Sequence, residues 1–225
     1  MSTPAAAPGP WVEQWLSGPR FQTYLVEAGG DRQRALDLYE WNTAMAAAIL
    51  HDLAHVEVAV RNAYNAALVA YQPAPLHWTD DVMRYFPVVW RTAKNGRRYD
   101  ENETPRDQLA YARKAVGAGA PPGKVVAELM FGFWRYLSIS GREITLWRPY
   151  LHHGFVTGTS RSAVDGPMSR LHRLRNRVAH HEPLLTQNLP ARRGDVSSLL
   201  ACISPDLQAY VAAQSTWAAI ETQRP

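Results

Sequence analysis

One cysteine in 225 residues leaves little room for several chemistries. Cys202 alone forms no intrachain disulfide and no cysteine-based zinc site, and a chain of this kind is expected in the cytoplasm. Long apolar runs are equally scarce. The longest, AMAAAIL at residues 44–50, is broken by His51 and Asp52, far short of the roughly 20 residues that a spanning helix needs. The opening MSTPAAAPGP has neither a basic n-region nor an apolar h-region, so residues 1–10 read as a disordered Pro/Ala tail and not as a signal peptide. No alternating apolar and polar stretch of useful length suggests a sheet, and no fixed-period repeat is visible. A formal charge of +4 and a pI of 9.3 permit an anionic partner without demanding one.

What the chain does have is aromatics and helical periodicity. Eight tryptophans and ten tyrosines sit among polar residues, which suggests amphipathic aromatic surfaces as well as core. The length suffices for one sizeable core. RFQTYLVEAGG predicts a short helix stopped at Gly29-Gly30, and Asp31 then caps a long helical segment reaching Tyr71. Such a length predicts a bend or break near Glu40–Thr43. Residues 72–104 read as an irregular basic segment with an Asn-Gly turn. Helices resume with Thr104 as cap and Pro105 in first position, continue through PGKVVAELMFGFWRYLSI and REITLWRPYLHH, and pause in the loop GFVTGTSRSAVDGP. After that loop comes RLRNRVAHHEP, and DVSSLLACISPDLQAYVAAQSTWAAI closes an all-α bundle.

RLRNRVAHHEP, Arg173–Pro183, carries the chemistry. Residues four apart on a helix share a face, which sets Asn176 under His180 and lets its amide orient the imidazole. Arg175 precedes His180 by five positions, an offset of about 140°, so only its length brings its guanidinium toward the same cleft. Arg173, Arg177 and His181 form a second ridge. Pro183 disfavours helical geometry at Glu182 and so ends the helix near His181. There the negative end of the helix dipole favours an imidazolium while the arginines oppose it. A histidine so balanced suits acid–base work near neutrality, and a guanidinium beside it can hold a phosphate. RNA transesterification needs those parts: a proton removed from a 2′-hydroxyl, one given to a 5′-oxygen, and a cation on the phosphoryl oxygens. It needs no metal and no cofactor. A solvated helix end whose arginines pair with carbonyls and with Glu182 fits the same pattern, and spacing alone does not choose between the two.

LRNRVAHHEPL resembles the R-N-x-x-x-H signature of the HEPN superfamily, in the form carried by the Abi-like proteins of abortive phage infection. The likeness extends along the chain. RFQTYLVEAGGDRQRALDLYEWN resembles the N-terminal region of that family and VEVAVRN its E-x-x-x-R-N helix. FGFWRYL is similar to its middle helix and ISPDLQAYV to its last. The resemblance implies one HEPN-like helical bundle over residues 11–225, with additional helices and the basic insertion. It also implies a homodimer that places two motifs across a shared cleft, and a metal-independent endoribonuclease acting on single-stranded RNA in phage defence or as a toxin. It makes Arg175 and His180 the catalytic residues, with Asn176 and His181 beside them and Glu57, Arg61 and Asn62 buttressing the cleft. An antitoxin, a guide-like RNA or a phage-derived regulator would control such an enzyme. The alternative is a non-catalytic HEPN module that binds RNA or protein through the same cleft. Glu182 stands where nucleotidylated relatives carry tyrosine, which argues against that switch.

Glu57 and Arg61, four apart, are expected to pair along their helix, and Ala66 replaces the histidine that a second motif at Arg61-Asn62 would need. Arg84, Arg91, Lys94, Arg97 and Arg98 interleave with Tyr85, Trp90 and Tyr99. Cations for phosphates and rings for unpaired bases are the means of holding a single strand, which makes the segment an RNA-binding candidate with Arg173 and Arg177; a basic loop whose rings dock in the core is the other reading. His152-His153, and His51 with His55, read as structural. RGD at Arg193–Asp195 reads as a loop whose Asp195 caps the next helix.

Overall fold

The computed structural model describes residues 8–225, and the fold is built mostly from helices. Of the tail expected at residues 1–10, residues 1–7 lie outside the described residues, while Pro8–Pro10 are ordered by contacts to Arg32. From Pro8 onward the chain is held: the Arg32 guanidinium donates to the carbonyls of Pro8 at 2.8 Å and Gly9 at 3.0 Å, and pairs with Glu13 at 2.6 Å. Two short helices, α1 (Trp11–Leu16) and α2 (Gly18–Glu27), follow.

The spine is α3, Arg32–Ala70. No Gly or Pro interrupts these 39 residues, and the Asp31 carboxylate accepts the Arg34 N–H at 3.0 Å to cap them. Buried side chains recur at three and four, through Leu38, Asn42, Met45, Ile49, Leu53, Val56, Val60 and Tyr64. The expected break at Glu40–Thr43 does not occur. Trp41 and Asn42 are both buried there, the indole N–H donating to the Ile220 carbonyl at 2.9 Å and the amide oxygen accepting the Leu184 N–H at 2.7 Å. Packing on α2 and on three later helices, Arg161–Ala179, Leu189–Ile203 and Trp217–Glu221, supports the whole length. An 18-residue window of α3 reaches a mean hydropathy of 1.3, so by length and composition it could cross a membrane; counting only unbroken apolar runs missed this. In the fold its buried stripe is the centre of one hydrophobic cluster running from Val12 to Trp217.

Residues 72–104 hold more order than expected. After α4 (Val82–Tyr85), strands β1 (Trp90–Thr92) and β2 (Arg98–Asp100) pair antiparallel, Arg91 opposite Tyr99, around the Asn95-Gly96 turn. Three-residue strands are too short to show a period in sequence. The Asp100 carboxylate pins the hairpin by accepting the N–H groups of Val89 at 2.9 Å and Asn102 at 3.0 Å and by pairing with Arg106.

Helix α5 (Glu103–Val116) starts before the expected cap at Thr104, with Asn102 as its cap residue and Pro105 buried in the first turn. The next apolar stretch divides into α6 (Pro122–Glu128) and α7 (Phe131–Tyr136), and two short 3₁₀ turns flanking a π turn at Glu143–Trp147 lie within 140–154. Helix α8 (Arg161–Ala179) begins inside the expected loop, because the Ser160 hydroxyl caps the Ala163 N–H at 3.2 Å and Pro167 is accommodated, buried, in the helix. The chain closes with α9 (Leu189–Ile203), α10 (Pro205–Gln214) and α11 (Trp217–Glu221). Asn188 caps α9, so Arg193–Asp195 is helix and not loop, and Asp195 is buried within it.

Candidate functional site

The motif occupies the end of α8 and the turn that stops it. The helix closes at Ala179, two residues before the end expected near His181, with His180 as its cap. The His181 N–H bonds the Val178 carbonyl at 3.0 Å and the Glu182 N–H reaches back to Arg177 at 2.9 Å. This is a Schellman closure, which requires a left-handed residue at His181, where φ is 54°. The end of α2 is built identically, Gly30 bonding Leu25 at 2.9 Å and Gly29 bonding Val26 at 3.1 Å, with glycine in the left-handed place. Histidine fills it at the motif against a steric cost of about 1–2 kcal/mol. The Arg177 and Val178 carbonyls are therefore taken by backbone N–H groups. Arg177 completes the closure, donating to the Pro183 carbonyl at 3.1 Å and pairing with Glu182 at 3.1 Å.

Helix geometry then sorts the side chains. Arg170, Arg173, Asn176, Arg177 and His180 fall within about 120° of the α8 circumference, while Arg175 leaves about 140° from His180. Arg175 turns toward α3. Its Nε lies 3.4 Å from Glu57 Oε1, and both residues line a cavity of about 190 Å³ with Arg61, Phe131 and Trp134. The pairing expected within α3 between Glu57 and Arg61 is thus replaced by one across helices, since the arginine on α8 meets the carboxylate first. Asn62 is exposed on α3.

The opposite face of α8 forms a groove of about 570 Å³ with the start of α9, lined by Arg170, Arg173, Arg177 and Arg192 and by the amides of Asn176 and Gln187. Buried Asp195 organises two of these cations: Arg170 Nε and Nη2 grip its carboxylate at 2.9 and 2.5 Å, and Arg192 Nη1 lies 2.9 Å from it. His180 stands one turn beyond Asn176 on this face and is exposed. Among the described residues neither His180 nor His181 makes a side-chain hydrogen bond or ion pair, so the Asn176 amide does not hold the imidazole as expected. The two side chains of the R-N pair open onto different cavities.

Half-buried His172, one turn before Arg175, was not singled out from sequence. Burial, together with the charges of Arg135, Arg175 and Arg173, holds its imidazole below the ordinary value and so in the neutral form. Arg170, Arg192 and Asp195 were missed as well. Arg170 lies three before Arg173, a signal lost because α8 was taken to start later; Arg192 and Asp195 were hidden by reading their helix as a loop.

The hairpin displays its expected groups. Trp90 and Tyr99 are 58% and 42% exposed, Arg98 lies over the Trp90 ring at 5.2 Å, and Arg84, Lys94 and Arg97 face solvent. Arg91 pairs with Glu101 at 2.9 Å. The docked-ring alternative applies only to Tyr85, which is buried with its hydroxyl donating to Gln72 at 2.8 Å. No hydrogen bond or ion pair joins the hairpin to α8 among the described residues, so the two basic surfaces are separate features of one chain.

His51 meets Asp52 at 2.9 Å, and His152 Nδ1 meets the Trp147 carbonyl at 3.1 Å. Among the described residues no three His, Cys, Asp or Glu side chains gather as metal ligands. The chain matches no protein-family model, no curated protein and no solved structure.

Proposed function

We propose that this chain is an endoribonuclease of the HEPN type, cleaving single-stranded RNA by attack of the 2′-hydroxyl on the adjacent phosphate, as a homodimer in phage defence or as a toxin. The observation that carries the reading is His180. Its imidazole is exposed and has no partner among the described residues, on the same helix face as an arginine-lined groove and five residues from a second guanidinium.

The chemistry asked of these groups is modest. His180 takes or gives the proton at the reacting oxygens, a contribution of typically 10²–10⁴-fold for a placed acid or base. A guanidinium offsets charge on the phosphoryl oxygens as the pentacoordinate state forms. Arg175 and His180 diverge on α8, so one chain does not aim both at one phosphate. A second copy that brings two α8 C-termini together supplies both groups to a common cleft. The α3 surface next to Glu57 offers exposed Leu50 and Val58 for such a contact.

Purified protein is incubated with labelled single-stranded RNA in EDTA, beside the His180→Ala variant, with sedimentation on both. Cleavage by the parent in EDTA and its loss in the variant, with fold and assembly unchanged, is the expected result. RNA that is shifted on a gel but never shortened would instead make the chain a binding module, and equal cleavage by both proteins would remove His180 from the chemistry.

A further inference from the structure

The geometry points to a phosphate track in the α8–α9 groove, holding the backbone of single-stranded RNA on the His180 side of the helix. This rests on the ribonuclease reading and deepens it, because it assigns the strand a path from the imidazole back along α8 and onto Arg192. Four guanidinium groups line the groove and two carboxylates, Asp195 and Glu182, face them, leaving an excess of two positive charges. That excess matches two phosphates.

Three of the four cations are already positioned. Asp195, only 7% exposed, fixes Arg170 and Arg192 from below, and Arg177 is tied to the turn after α8. Each still has N–H donors to spare, since a guanidinium carries five. Ordering costs that a flexible cation would incur on binding are thus largely met in the free protein. Arg173, the fourth, is exposed and among the described residues is bonded only to the Ser169 hydroxyl, at 3.2 Å. Asn176 and Gln187 add neutral polar groups suited to sugar or phosphate oxygens. Within the motif, the guanidinium of Arg175 then serves the cleft toward α3, while Asn176 serves the track.

Binding is measured in the His180→Ala background with EDTA, using a short fluorescent oligouridylate over a range of salt concentrations. Each arginine removed from a phosphate contact on a single strand should flatten the slope of log affinity against log salt by about 0.7. The double variant Arg173→Gln/Arg192→Gln is expected to lose about 1.4 of slope, and Arg173→Lys/Arg192→Lys to retain it. An unchanged slope in the glutamine variant overturns the track, and so does an equal loss in the lysine variant, which would signal a damaged fold. Parallel cleavage assays on protein with His180 intact separate the two ideas. Cleavage with an unchanged slope removes only the track; a flattened slope without any cleavage removes only the catalytic reading; neither binding nor cleavage removes both.

Discussion

Glu57 on α3 and Arg175 on α8 form an ion pair between helices, Oε1 to Nε at 3.4 Å, each about one-third exposed. The carboxylate therefore stands where a phosphate would compete for the same guanidinium, and it fixes the direction in which that guanidinium points. A pair this exposed contributes less than about 1 kcal/mol to folding. Glu57→Gln is expected to leave the melting temperature nearly unchanged while lowering RNA cleavage about tenfold, equivalent to about 1.4 kcal/mol at the transition state. Steady-state kinetics should assign the loss to kcat, because the groove proposed to hold the strand lies on the other face. A loss confined to KM would make Glu57 part of strand binding.

His181 holds a left-handed backbone that glycine would adopt freely. His181→Gly is expected to stabilise the fold by about 0.5–1 kcal/mol, the relief of strain less the added freedom of the unfolded chain. His181→Ala keeps the strain and should change little. Urea unfolding of the three proteins checks this. Unfolding midpoints that coincide for the glycine and alanine variants would show that the backbone stores no strain there.

Asn42 holds the segment after the motif to the spine by accepting the buried Leu184 N–H at 2.7 Å. Asn42→Ala leaves that donor unpaired, at a cost of about 1–3 kcal/mol. Thermal unfolding should shift down by roughly 2–4 °C per kcal/mol for a chain this long. Hydrogen exchange at Leu184 should rise most, since the loss is local to the motif turn.

Asp100 supplies a pH signature. Arg106 first, and then the N–H groups of Val89 and Asn102, bring its carboxyl down to about 2 from an ordinary 3.8. A depressed carboxyl stabilises the fold above its unfolded value, and that contribution is lost as pH falls through the folded one. The difference in stability between the parent and Asp100→Asn should be constant above about pH 5 and shrink as pH falls toward about 2. Denaturant midpoints across that range test the sign. A difference that stays flat would mean that the hairpin's anchor does not depend on the charge.

Much of this was written in the sequence because it is local. The three-to-four spacing along α3, the Asp31 cap, the Gly29 stop and the helical character of the chain follow from backbone sterics and apolar periodicity, which neighbours fix within a turn or two. The R-N-x-x-x-H spacing was legible for the same reason, down to the offset between Arg175 and His180. What sequence could not supply were partners far along the chain. Whether α3 bends depends on Ile220 and Leu184 meeting Trp41 and Asn42. Which carboxylate meets Arg175 depends on the packing of α8 against α3, and the groove exists because Asp195 on α9 gathers arginines from two helices. Periodicity determines which side of a helix a residue occupies; only the crossing of helices decides what stands opposite.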